Sequence, residues 1–243
     1  MNRPYRLGGI SFIVVGILFL TKYAVELSVG PPPSDGAEIL AWVAANELLL
    51  ALGNEILFFA AAFLIPAVIT LYWSLAGVDR TTAATGSGVF AAVIPTIFVL
   101  LIVQGRLVYP IYGLHVDTPA VAELVVAVYY GGLHAVALLF GLGTIVLSVA
   151  MRRGVFGRNL ALLGVAACVF DVLSSYPETV GPLVILVSQA LFAGWCLAVG
   201  SKLFGVRDLA TRPSMIDGRT RSSSGRHAAG MARPLLAVSC GAS

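Results

Sequence analysis

Charge is what this sequence has least of. Asp, Glu, Lys and Arg make up 11% of its 243 residues, against roughly 25% in an average soluble domain. So few charges cannot cover the surface of a soluble globule. They also exclude disorder over most of the length, because a disordered chain is poor in apolar residues and rich in charge. Cysteine is scarce too: Cys168, Cys196 and Cys240 stand far apart, with no C-x-x-C spacing and no histidine beside them. That removes the usual sequence support for a zinc or redox centre. Cys168 and Cys196 fall in apolar runs, where a thiol behaves as a small core residue. A net charge of +3 is too small to point to nucleic acid. The chain has no internal repeat, so the repeated-half signature of many transporters is missing.

Apolar residues fill the space that charge leaves: 58% of the chain is hydrophobic and the mean hydropathy is +0.94. A bilayer core of roughly 30 Å takes about 20 helical residues. Six stretches meet that test, at approximately 7–29, 54–77, 87–109, 120–150, 159–176 and 183–204. The expected fold is therefore all-α, a polytopic bundle of six transmembrane helices. Arg3 and Arg6 before the apolar run from Leu7 to Thr21 resemble a secretory signal. No small-x-small cleavage site follows, so the run reads as an uncleaved first span. The fourth stretch exceeds a simple span, and its outer third is expected to project beyond the lipid. Pro177 stops the fifth.

Between spans one and two, Gly30-Pro31-Pro32-Pro33-Ser34-Asp35-Gly36 ends a helix and turns the chain. Asp35 with Glu38 three residues on has the spacing of a capping box. The segment 36–52 is too short and too acidic to span. It reads either as a short outer interfacial helix carrying Trp42, Leu49 and Leu50, or as the start of a helix continuous with span two.

Basic residues set the orientation. Thirteen of the 15 Lys and Arg fall at the N-terminus, in the loops after spans two and four, and in the C-terminal segment. The other two, Lys22 and Arg106, lie inside spans. Both termini are therefore expected in the cytoplasm, with the protein in the cell inner (plasma) membrane. Residues 1–206 form the membrane domain. Residues 207–243 read as a flexible basic tail, either simply solvated or touching anionic lipid heads at about 1 kcal/mol per basic residue.

The polar residues inside the spans are one-sided. Counting about 1.5 Å of rise per residue, Lys22, Glu55, Gln104, Arg106, His134, Asp171 and Gln189 all fall in the outer half. The inner half holds only hydroxyls, such as Thr70, Thr96, Thr144 and Ser148, which can bond their own helix backbone. An ionised group in lipid costs at least about 2.5–3.5 kcal/mol at a helix centre, so such groups face the bundle, pair, or line a wet cavity. Lys22 and Arg106 balance Glu55 and Asp171, and every helix contributes a member. One reading is a polar pocket open outward and closed inward by an apolar plug. The other is local: Lys22 pairs with Glu26 at i,i+4, while Glu55 and Arg106 sit at the headgroups. Asp171 fits the local reading poorly, being too short to snorkel. His134 is either a proton-handling imidazole or one hydrogen-bonded in place. A haem would need a second histidine at matching depth, and His115 and His227 are not in spans; no cofactor or metal is expected.

Pro66 and Pro95, near the middle of spans two and three, are expected to kink their helices. Gly157, Ala161, Gly164 and Cys168 form a strip of small residues suited to close helix contact. Gly86-Ser87-Gly88 lacks the register of a membrane-protease serine motif, and His115 with Asp117 is too little for a metal site.

Several runs resemble a bacterial family described as domain of unknown function four-three-eight-six. They are Asn46-Glu47-Leu48 in the segment after the first span, Leu133-His134-Ala135 leading to Gly141-Leu142-Gly143, the basic turn Arg152-Arg153-Gly154-Val155-Phe156-Gly157-Arg158, and Asp171 after an apolar run. The resemblance covers roughly residues 7–204 and implies six transmembrane helices with no established activity. The tail from 207 departs from it.

The functional expectation is an integral membrane protein, not an enzyme, whose outward polar pocket binds a small ligand, lipid head or proton as a sensor or accessory subunit. A small-solute or proton-coupled transporter is the alternative, and it would need a route through the apolar inner half. A membrane-embedded enzyme using His134 and Asp171 is a third. The lipid bilayer is the expected partner; the sequence sets no oligomeric state.

Overall fold

A computed structural model describes residues 3–176 and 179–205. Pro177 and the tail from 207 lie outside the described residues. The described chain forms α1 (Arg3–Val29), α2 (Gly36–Ala76), α3 (Arg80–Val108), α4 (Pro119–Met151), α5 (Gly157–Ser174) and α6 (Pro182–Gly205). Each is long and apolar enough to cross a membrane. This is the architecture of a polytopic integral membrane protein.

Consecutive helices pack on each other, and α1 closes the ring against α6. The N-terminus and the connections after α2 and α4 lie at what we term the proximal face. The connections after α1, α3 and α5 lie at the distal face.

The helix ends follow from local chemistry. Gly30 leaves α1 with φ +77°, a left-handed conformation that glycine adopts without the clash a Cβ would bring. Asp35 caps α2, its carboxylate accepting from the N–H groups of Ala37 and Glu38. The two readings of segment 36–52 meet in the structure. α2 is one helix of 41 residues, but Asn46 breaks its dihedrals at φ −122°, ψ 16°. The Asn46 side-chain amide donates to the Trp42 carbonyl at 2.9 Å, within the turn that the break disturbs. Pro66, by contrast, sits in helical dihedrals. Residues before Asn46 thus form a short distal arm, and residues after it form the span.

α3 begins seven residues before the expected 87, because Asp79 caps it. Its carboxylate accepts from the Thr82 N–H at 3.0 Å and the Thr82 hydroxyl at 2.7 Å. Those bonds, the backbone one foremost, hold Asp79 below the usual carboxylate range. Arg80, Thr81 and Thr82 conceal this start from a hydropathy reading. At the distal face the long α4 is put to use. Its Glu123 accepts from the Gly36 N–H at 2.8 Å, and a Cβ on Gly36 would meet the Pro119 carbonyl oxygen at 2.4 Å. The overhang of α4 therefore packs on the start of the α2 arm.

The apolar interior has two parts. A small distal cluster joins Ile39, Val43 and Leu50 of α2 to Val108 of α3 and Ala122 of α4. The large cluster fills the rest of the bundle. Its centre is aromatic. Phe19, Phe140 and Phe192 meet with centroids 4.9–5.5 Å apart, and Phe12 and Phe90 lie 6.0 and 5.9 Å from Trp195. Such pairs contribute about 0.5–1.5 kcal/mol each beyond area burial.

Between membrane helices, close van der Waals packing replaces the hydrophobic drive available in water. Small residues make that packing possible. Ala161, Gly164 and Cys168 of α5 are buried as the strip requires, and a Cβ on Gly164 would meet Ser148 of α4 and Trp195 of α6. Gly157, the fourth member, instead begins α5 at φ +81°. The α1–α6 contact is tighter still. A Cβ on Gly200 would lie 2.6 Å from the Gly9 carbonyl oxygen and 2.8 Å from Ile13 Cγ1, whereas one on Gly194 would meet nothing within 4 Å. Gly200→Ala should therefore cost about 1–3 kcal/mol, the usual range for overpacking, and Gly194→Ala should cost nothing. Thermal unfolding of the two variants in detergent checks this; equal midpoints would contradict the α1–α6 geometry.

Candidate functional site

Four helices pass from the large cluster to the distal cluster, and each places a polar side chain at the crossing. On α2 the buried series Leu50, Asn54, Leu57 advances at helical steps, with Leu50 in the distal cluster and Leu57 in the large one. On α3 the series is Leu100, Gln104, Val108. α1 contributes Lys22 and Glu26, and α4 contributes Tyr129 and Tyr130. The result is a polar layer between two apolar cores.

Its charges are neutralised on one helix. The Lys22 ammonium bonds the Glu26 carboxylate one turn on. The Lys22 side chain is only 10% exposed and that of Glu26 36%, so the carboxylate is the end nearer solvent. The ammonium also stands 5.9 Å from the centre of the Tyr129 ring, within range of a cation–π attraction. Lys22, Glu26, Trp42, Gln104, Tyr129 and Tyr130 line a narrow cleft, and a second adjoins it across Trp42, Gln104, Tyr129 and Tyr130.

Two amides in this layer are unsatisfied. Gln104 Oε1 is buried without a hydrogen-bond partner, as are both polar atoms of Asn54. A buried amide without a partner costs about 1–3 kcal/mol, so the layer carries polar groups able to bond a further molecule.

The structure distributes the seven residues singled out in the sequence. Lys22 and Gln104 share the first cleft. Glu55 is exposed and accepts from the Tyr109 hydroxyl at 3.2 Å, which also reaches the Ala51 carbonyl at 3.1 Å. Arg106 is half-buried, with its Nε buried and unbonded. His134 lies 2.8 Å from the Ser175 carbonyl through Nδ1, with its ring edge-on to Tyr176 at 5.0 Å; that bond requires the proton on Nδ1. Asp171 is buried between α5 and α6, with Oδ1 2.5 Å from the Ser188 hydroxyl oxygen. Gln189, beside Ser188, is half-buried. The cleft thus draws on α1 to α4, and His134 and Asp171 belong to the α4–α5–α6 side. Among the described residues, no three His, Cys, Asp or Glu side chains converge as a metal site would require.

Sequence reasoning passed over Asn54, Tyr129 and Tyr130 as site residues. Asn54 carried a signal: it lies four residues after Leu50 and three before Leu57, which puts an amide on the apolar face of a span. The tyrosines carried none, since paired tyrosines in a long apolar stretch also read as an interface anchor.

No model of a known protein family, no curated protein and no solved structure matches the chain.

The unequal burial of the Lys22–Glu26 pair sets an asymmetry. Glu26→Gln leaves a buried ammonium uncompensated and should cost about 3 kcal/mol, as for a broken buried pair. Lys22→Met leaves a carboxylate that can turn to solvent, and should cost clearly less. Unfolding of both variants in detergent measures the difference; equal losses, or a larger one for Lys22→Met, would contradict this account of the pair.

Proposed function

We propose that this integral membrane protein binds a small polar ligand or a lipid headgroup in the cleft between α1 and α4, as a sensor or accessory subunit rather than an enzyme. The observation that carries the reading is the buried, unbonded Gln104 Oε1 in the same cleft as the Lys22–Glu26 pair. An amide acceptor, a paired charge and three aromatic rings together suit a ligand that is both polar and compact. The aromatic cluster centred on Phe140 and Phe192 fills the bundle beside this layer, which favours binding over passage of a solute.

In this proposal the distal face is outward and both termini are cytoplasmic, as the distribution of Lys and Arg favours. The membrane is the cell inner (plasma) membrane. Membership of the family of unknown function four-three-eight-six, with its six helices, belongs to the same proposal, resting on the runs around Asn46, His134, Arg152 and Asp171.

Water must reach the cleft from outside if a ligand does. A cysteine at Gln104, in a background without the native cysteines, should react with a small impermeant thiol reagent added to intact cells. One at Ile97, two turns back on the same face of α3 and fully buried, should not. Labelling of both positions, or of neither, would contradict the proposal.

A further inference from the structure

The α5–α6 pair holds a second polar site, separate from the cleft. Asp171 lies in the last turn of α5 and is 6% exposed, while Ser188, about 9 Å along α6 from its start, is fully buried. Three oxygen-to-oxygen contacts link them with Ser174: Ser188 Oγ to Asp171 Oδ1 at 2.5 Å, Ser174 Oγ to Ser188 Oγ at 3.1 Å, and Ser174 Oγ to the Asp171 carbonyl at 3.0 Å. Each is within hydrogen-bond range. A closed set of three hydrogen bonds takes one proton between each pair of oxygens. The two serines supply one proton apiece. In such a closed set the third comes from the carboxyl group.

We propose that Asp171 is a proton-binding site, in which the neutral acid completes a chain of three hydrogen bonds across the α5–α6 contact. The acid O–H donates to Ser188, Ser188 donates to Ser174, and Ser174 donates to the Asp171 carbonyl. Loss of the proton to water leaves a carboxylate, and Ser188 turns to donate to it. Ser174 then has one proton for two acceptors, so one of the three links is lost. Proton occupancy is thereby tied to how firmly the distal ends of α5 and α6 are joined.

The surrounding charges leave this role to the proton. Lys22–Glu26 is the one ion pair among the described side chains. The basic residues on the two helices, Arg158 and Lys202, lie 13 and 14 residues from Asp171 and Ser188 respectively, roughly 20 Å along each helix. The titratable groups facing Asp171 are Cys168 one turn back on α5 and Cys196 on α6. From α4 comes His134, engaged with the Ser175 carbonyl. None is a fixed cation. An ionised carboxylate in this setting would be a buried charge with one hydroxyl donor, the arrangement that membrane interiors disfavour most.

Infrared difference spectra between acid and alkaline pH test the proposal on the full-length protein in lipid nanodiscs. They read the carbonyl stretch of a protonated carboxylic acid, and carboxyl-¹³C aspartate assigns it to Asp. The expected result is a titrating ¹³C-sensitive band that is absent from Asp171→Asn and shifted in Ser188→Ala. Asp171→Asn keeps a neutral donor toward Ser188; should it fail to fold, the shift in Ser188→Ala decides. A band unchanged in Asp171→Asn, a band unmoved by Ser188→Ala, or carboxylate signals alone across the pH range would overturn the assignment. So would loss of the band on adding sodium at fixed pH, which would make the site one for a metal cation.

Discussion

A charge carried into hydrocarbon has to bring its counter-charge with it, and α1 carries both. Lys22 and Glu26 are one helical turn apart, so their pairing needs no other helix and can precede assembly of the bundle. That independence matters for the rest of the structure. With the ammonium already neutralised, α2, α3 and α4 can pack around it without supplying a buried acid of their own. They contribute uncharged groups instead: the amides of Asn54 and Gln104 and the phenols of Tyr129 and Tyr130. These four side chains add no charge to the Lys22–Glu26 pair.

The layer sits where two packing regimes meet. Toward the proximal side, the interior is closed by interlocking aromatic rings and by glycine contacts such as Gly9 against Gly200. Toward the distal side, a smaller cluster is built by the arm of α2 and the overhang of α4, joined through Gly36 and Glu123. Neither part alone would enclose the amides. Asn46 is the joint between them. Its broken dihedrals let the arm lean on α4 while the remainder of α2 continues as a span, and the adjoining clefts open beside that joint. The α5–α6 pair keeps its own polar chemistry apart, on the far side of the ring.

Much of this was legible in the residues. Six spans followed from hydropathy, and the Lys22–Glu26 pair followed from i,i+4 spacing. The turn at Gly30 followed from glycine beside three prolines, and the strip Ala161, Gly164, Cys168 from small residues at helical steps. What was hidden has a common cause. The rotation of each helix about its axis depends on its neighbours, and the spans are apolar all round, so no polar face marks their inner side. Whether Gln104 and Asp171 share a cavity was therefore beyond reach. So was the bond from Ser188 to Asp171, which crosses a turn between two helices with no repeating pattern. The α3 start was concealed differently, by polar residues that a cap makes helical but hydropathy ignores.

The central claim is that Lys22 points into the bundle and is held by Glu26, not drawn out to the lipid headgroups. The scarcity of lysine makes a direct measurement simple, since the chain has only Lys22 and Lys202, and Lys202→Arg leaves Lys22 as the single ¹⁵N-ammonium in lysine-labelled protein. Solid-state NMR in phospholipid bilayers can then measure dipolar coupling from that nitrogen to ¹³C at the Glu26 carboxylate and to lipid ³¹P. The account predicts strong coupling to Glu26 and none to phosphorus. Coupling to phosphorus without coupling to Glu26 would place Lys22 at the headgroups and contradict it.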